Sequence, residues 1–126
     1  MMKFKFLLLL LFVFIIAACD KDDDEETHQV KYEVVNNLSV NSHIKIVYYK
    51  NNNQNIVDGP LTPGQTWSLT YAGNSGEQAY LSGLVVNDSA NFDLRIILDQ
   101  SIFMEDKGYC DIICDTTEVM ISGTLP

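Results

Sequence analysis

The residues able to do chemistry in this 126-residue chain are few and widely spaced: Cys19, Cys110 and Cys114, His28 and His43, and the carboxylates Asp99, Glu105 and Asp106. Cys110 and Cys114 enclose Asp111-Ile112-Ile113. On an extended strand their Cα atoms would stand ~13 Å apart at ~3.3 Å per residue. A disulfide needs less than ~7 Å, so a bond between them requires that tripeptide to turn. A loop so short would contribute about 2 kcal/mol in the chain-entropy model. Two free thiols are the other reading. A redox or metal role would call for CxxC spacing or a histidine nearby in sequence, and the pair has neither.

General acid-base or zinc chemistry needs convergent partners on a rigid frame. Nothing at metal-ligand spacing accompanies His28 or His43, so both read as surface histidines. Asp99, Glu105 and Asp106 lack the Asp-x-Asp-x-Asp pattern of a calcium loop and read as a solvated acidic loop. Gly-x-Ser-x-Gly, P-loop and HExxH patterns do not occur. The expectation is a protein that is not an enzyme, with no cofactor and no metal.

The aromatic residues offer a different kind of site. Tyr48, Tyr49, Trp67, Tyr71 and Tyr80 combine flat apolar area with a polar handle, as sugar-stacking platforms and protein hot spots do. Tyr48 and Tyr49 are consecutive, so on a strand they face opposite sides. The candidate platform is therefore Trp67, Tyr71 and Tyr80, with core packing as the other reading.

The elements that must carry these residues begin with an N-terminal leader. Lys3 and Lys5 precede about a dozen apolar residues that end in Ala17-Ala18. A membrane-spanning helix needs about 20, so this run fits the apolar part of a cleaved secretory signal. Ile16-Ala17-Ala18-Cys19 resembles the lipobox of bacterial lipoproteins, in which the cysteine is acylated and becomes the mature N-terminus. That resemblance implies a lipid on Cys19; two or more acyl chains at ~0.8 kcal/mol per buried methylene anchor a protein stably. It also leaves Cys110 and Cys114 to each other in an oxidising compartment.

Behind Cys19 runs Asp20-Lys21-Asp22-Asp23-Asp24-Glu25-Glu26. Lys21, Asp22, Asp23 and Asp24 resemble the lysine-plus-acidic export signal of surface lipoproteins in Bacteroides-type bacteria, which implies a domain facing outward from the outer membrane. The same run also reads as a solvated tether extended by like-charge repulsion. Asp88-Ser89-Ala90 and Asp115-Thr116-Thr117 resemble the O-glycosylation acceptor of such bacteria, which implies modification at Ser89 and Thr116.

Of the 17 acidic residues, six lie in that run; from Thr27 onward 11 face five basic ones. Such a surface repels phosphate backbones and argues against a nucleic-acid partner. From His28 the chain alternates apolar and polar residues in short runs, 28–35, 44–49, 67–71, 80–86, 92–98 and 118–122, and an apolar stretch resumes briefly at Ile56-Val57. Polar or Gly/Pro-rich clusters separate them at 51–55, 58–64, 72–76, 87–91 and 106–108. Residues 44–49 are apolar on both faces and suit a central strand, Gly83 suits a bulge, and 101–105 suits short 3₁₀ turns. No run beyond the leader suits a helix, and no internal repeat occurs.

About seven or eight strands at this spacing predict an all-β domain. The texture resembles small immunoglobulin-like or transthyretin-like β-sandwiches. The expected organisation is a signal peptide over 1–18, an acidic tether over 19–27 and a β-sandwich over 28–126. The expected role is a lipid-anchored outer-membrane lipoprotein, facing the exterior, that binds a protein or glycan without catalysis. A periplasm-facing assembly lipoprotein and a loop-based hydrolase or inhibitor are the competing classes.

Overall fold

A computed structural model describes residues 26–126. Cys19 and the Lys21, Asp22, Asp23 and Asp24 signal, with the leader, lie outside the described residues. Those described form six strands and no helix: β1 (Thr27–Asn36), β2 (Ser42–Lys50), β3 (Asn53–Leu61), β4 (Thr66–Asn74), β5 (Gln78–Leu98) and β6 (Ser101–Thr124). All ladders are antiparallel, in the order β3-β2-β5-β1-β4, with β6 along the other side of β5.

The fold is organised on the β5–β6 hairpin. The first half of β5 pairs with β2 through residues 81–84, and its second half pairs with β1 through 92–98. Residues between these stretches have neither neighbour, and there β5 bends. Asn87 takes φ 54° and the β5–β6 register shifts between Asp88 and Ala90. The bend curls the sheet until β1 and β2, which share no ladder, face one another: the Tyr32 and Tyr48 rings lie 5.8 Å apart.

Between the two halves lies the core, filled by the inward period-2 residues Val30, Tyr32 and Val34 of β1, Ile44, Ile46 and Tyr48 of β2, and Leu81, Val85, Phe92, Leu94 and Ile96 of β5. The alternation of β1 and the internal place of β2 are as their sequences predict.

Several expected turns prove to be strand. Residues 87–91 and 106–108 lie inside β5 and β6, and 101–105 is strand rather than 3₁₀. The expected loop at 51–55 contracts to Asn51-Asn52, and β3 runs on through Gly59 and Pro60. Proline is tolerated there because β3 ladders on one side only, with β2. Asn51 (φ 51°) and Asn52 (φ 62°) make one two-residue turn; Asp99 (φ 48°) and Gln100 (φ 70°) make the other, joining β5 to β6. Positive φ at both positions matches the right-handed strand twist.

Gly83 is not a bulge; it keeps regular register with Ile46 and Val119. Its lack of a side chain serves Phe92, whose ring would lie 2.8 Å from a Cβ at Gly83 and 2.2 Å from one at Gly108. Phe92, fully buried, fills the inside of the bend only because both glycines admit it.

Candidate functional site: the two ends of the curled sheet

Two clusters of connections define two ends. At one, the Ser75 amide donates to the Glu26 carbonyl (2.8 Å), the Asp99 amide to the Gln29 carbonyl (2.9 Å), and the Gly76 amide to the Leu125 carbonyl (2.9 Å). The chain enters the fold here from the acidic run. At the other, the Asn37 amide donates to the Asn91 carbonyl (2.7 Å) and the Asn36 amide to the Gln65 carbonyl (3.0 Å). Loop 37–41, turn 62–65 and the β5 bend thus meet at the far end. β1 spans the interval, and its ten residues cover about 30 Å at ~3.3 Å per residue.

Asn36 ties the far end together. Fully buried, its Nδ2 donates to the carbonyls of Leu61 (3.0 Å) and Val40 (3.0 Å), and its Oδ1 accepts from the Leu38 amide (3.0 Å).

Cys110 and Cys114 lie at disulfide distance at this end, with Cα atoms 6.4 Å apart. Asp111-Ile112-Ile113 therefore turns. The register supplies the cause: Asp88 pairs with Cys114 and Ala90 with Cys110, so three residues of β6 stand opposite Ser89 alone. The two surplus residues leave the ladder as a bulge, and the sulfur bridge closes its base. Ile112 is 69% exposed and Ile113 75%. Tyr109, Val86 and Val40, all more than half exposed, belong to the same end, so five of the large exposed apolar residues gather there. Asp88, Asp111 and Asp115 are exposed beside them. Segments 37–41, 62–65, 86–91 and 109–116 contain no Lys, Arg or His. Ser42 Oγ and Asn91 Oδ1, at the same end, are buried with no hydrogen-bond partner among the described residues.

The two modification motifs, far apart in sequence, are brought to this end as well. Ser89 is half-buried within the bend, its amide bonded to Asp88 Oδ1 (2.8 Å). Thr116 is exposed on β6 opposite Val86.

Trp67, Tyr71 and Tyr80 do not share one surface. Tyr71 is 7% exposed, inside the core. Trp67 packs on Tyr48 (5.3 Å between ring centroids), Tyr48 on Tyr32, and Tyr32 on Tyr71 (5.6 Å), a continuous aromatic chain. Tyr80 instead stacks on Tyr49, 4.7 Å away. The core accepts tyrosines because their hydroxyls are satisfied. Tyr32 Oη donates to the Tyr49 carbonyl (2.6 Å) and accepts from the Tyr80 amide (3.2 Å). With its own proton so used, it accepts the Tyr71 hydroxyl at 3.0 Å. The β2–β5 ladder ends at Tyr48–Leu81, and the Tyr32 hydroxyl bridges the next carbonyl and amide where those strands part. Burial pushes both phenols up from their ordinary range.

His28, expected on the surface, is 9% exposed. Its Nδ1 is 2.7 Å from Asp99 Oδ2 and its Nε2 2.8 Å from the Pro126 backbone oxygen. Both ring nitrogens can donate only as imidazolium. The Asp99 hydrogen bond, with help from Pro126, raises the histidine from its ordinary value; the same bond, with the Gln29 amide (2.9 Å), lowers Asp99. Sequence offered no sign of this, because the partners lie 71 and 98 residues away. His43 pairs with Asp58 on the exposed β2–β3 surface.

Asp99, Glu105 and Asp106 are not one cluster. Asp99 serves His28, while Glu105 joins a cross-strand ionic row in which Arg95 lies 3.5 Å from Glu33, 3.7 Å from Asp93 and 3.7 Å from Glu105. This row borders a shallow groove of about 290 Å³ lined by Asp93, Arg95, Glu105, Asp106 and Lys107. Such pairs, half-buried to exposed on the face of the sheet, contribute little each. Among the described residues no group of three or more His, Cys, Asp or Glu could hold a metal ion. In comparison with known proteins, the chain matches no family model and no curated protein.

Proposed function

We propose that this chain is a lipid-anchored lipoprotein of the bacterial outer membrane, exposed to the exterior, whose domain works by binding and not by catalysis. The observation that carries the binding half is the gathering of Val40, Val86, Tyr109, Ile112 and Ile113, all exposed, at the end opposite the entry of the chain. Large apolar side chains left exposed together at one end of a folded domain point to an interaction site. The anchoring half rests on the lipobox resemblance of residues 16–19, and outward orientation on Lys21, Asp22, Asp23 and Asp24.

The finer fold reading, a small immunoglobulin-like or transthyretin-like sandwich, belongs to this proposal. Its support is that β5 and β6, divided at the bend, bring the strand count to eight. Ser89 and Thr116 are proposed as O-glycan acceptors, and the intact mass of the native protein tests them: the absence of glycan mass from both peptides removes them.

The main test is metabolic labelling with palmitate, followed by protease treatment of intact cells. The expected result is label on the wild type, none on Cys19→Ser, and degradation of the domain from outside. Label with full protection from protease would favour the periplasm-facing assembly protein; absence of label would refute the anchor.

A further inference from the structure

Resting on the anchored reading just given, we infer that the far end docks into a protein on an opposing surface, in an apolar pocket rimmed by lysine or arginine. The disulfide-closed Ile112-Ile113 tip enters that pocket.

Three observations choose this occupant. The first is position: the chain enters β1 at Thr27, and the tip lies at the other end of that strand, about 30 Å away. Seven residues lie between Cys19 and Thr27, so even a fully extended tether of eight Cα–Cα steps, about 28 Å, barely lets the domain invert. The tip is thus presented away from its own membrane.

Charge is the second. Asp88, opposite Cys114, and Asp111 and Asp115, which flank residues 112–114, are exposed, and the four segments of this end hold no base. That rim is repelled by anionic headgroups and by a second copy of itself, and is complemented by cationic side chains. The third is rigidity: Ile112 and Ile113 are held on a five-residue loop closed by Cys110 and Cys114, which sit 6% exposed and half-buried against the core. An apolar anchor fixed before binding loses little freedom on docking, and a central apolar anchor with a polar rim is the usual anatomy of a protein hot spot.

The experiment places the photocrosslinking residue p-benzoylphenylalanine at position 113, 102 or 75 of the full-length lipidated chain and irradiates intact native cells. The expected result is one discrete protein adduct at 113, about tenfold weaker at 102 and 75. Asp111→Lys with Asp115→Lys should reduce it about tenfold, as should Ile112→Asp, consistent with losing rim attraction or the anchor. Near-ultraviolet and far-ultraviolet circular dichroism of each variant verify the fold; if Ile112→Asp unfolds, the exposed double-lysine variant carries the test.

Transfer of the probe only to lipid, an adduct of two copies of this chain, no adduct, or an adduct indifferent to charge reversal each overturns the inference. An adduct at 102 and not 113 also overturns it while leaving a binding protein standing. Loss of palmitate label, read on the same cells before irradiation, reports separately on the anchor.

Discussion

The hydroxyl of Tyr71 donates to that of Tyr32 across 3.0 Å of buried space, and Tyr32 passes its own proton to the Tyr49 carbonyl. One phenol on β1 thereby joins β2, β4 and β5. Tyr32→Phe should be the more damaging deletion, because it strands the Tyr49 carbonyl, the Tyr80 amide and the Tyr71 hydroxyl together. About 2–4 kcal/mol is expected for it, against about 1 kcal/mol for Tyr71→Phe. Urea unfolding of the two variants checks the ranking; equal losses would show that Tyr32 is not the centre of the network.

Phe92 and Gly108 are expected to be energetically coupled. Gly108→Ala would place a methyl inside the Phe92 ring and should cost about 1–3 kcal/mol through overpacking. In a Phe92→Leu background the same change should cost markedly less. A double-mutant cycle measures this, and simple additivity would contradict the packing described.

The His28–Asp99 pair makes stability depend on pH at both edges. His28 is raised from 6.5, so its contribution is complete below about 6.5 and is lost as pH rises through the raised folded value. Asp99 is lowered from 3.8, so its contribution is present above 3.8 and is lost as pH falls through the lowered folded value. The denaturation midpoint should therefore decline from pH 6 towards pH 9 in the wild type. His28→Gln should flatten that decline. Parallel profiles for the two proteins would exclude the pair as its source.

Removal of the sulfur bridge should be felt modestly in stability. Cys110→Ser with Cys114→Ser is expected to lose about 2 kcal/mol, the value for closing so short a loop, without change in far-ultraviolet circular dichroism. Hydrogen exchange should quicken at residues 111–113 and stay slow in β1; uniform acceleration would mean that the bridge holds the whole fold.

The alternation of β1 was legible because one of its faces meets the core, and the internal place of β2 because apolar residues stand on both of its faces. The length of β5 and β6 was not. Asn87, Asp88 and Ser89 have the composition of a turn, yet here they accommodate a bend and a register shift inside one strand. The same residue types serve both purposes, since both need left-handed or locally hydrogen-bonded backbone. Cys110 and Cys114 were readable as a pair because four residues set a geometric condition that a turn alone meets. Trp67 and Tyr71 looked like surface candidates because the hydroxyl that admits Tyr71 to the core belongs to Tyr32, 39 residues away. His28 illustrates the same limit: its character is set by Asp99 in a turn and by Pro126.

The course of β1 has a mechanical consequence. It begins at the end where the acidic run enters and finishes at the end bearing Ile112 and Ile113, flanked along its length by β4 and β5 in ladders of nine and seven residue pairs. Tension between a membrane and a held far end would act along β1, across inter-strand bonds that lie perpendicular to it. Those bonds would be sheared together instead of opened one after another, so under such a pull the first strand of the domain would resist through both of its ladders at once.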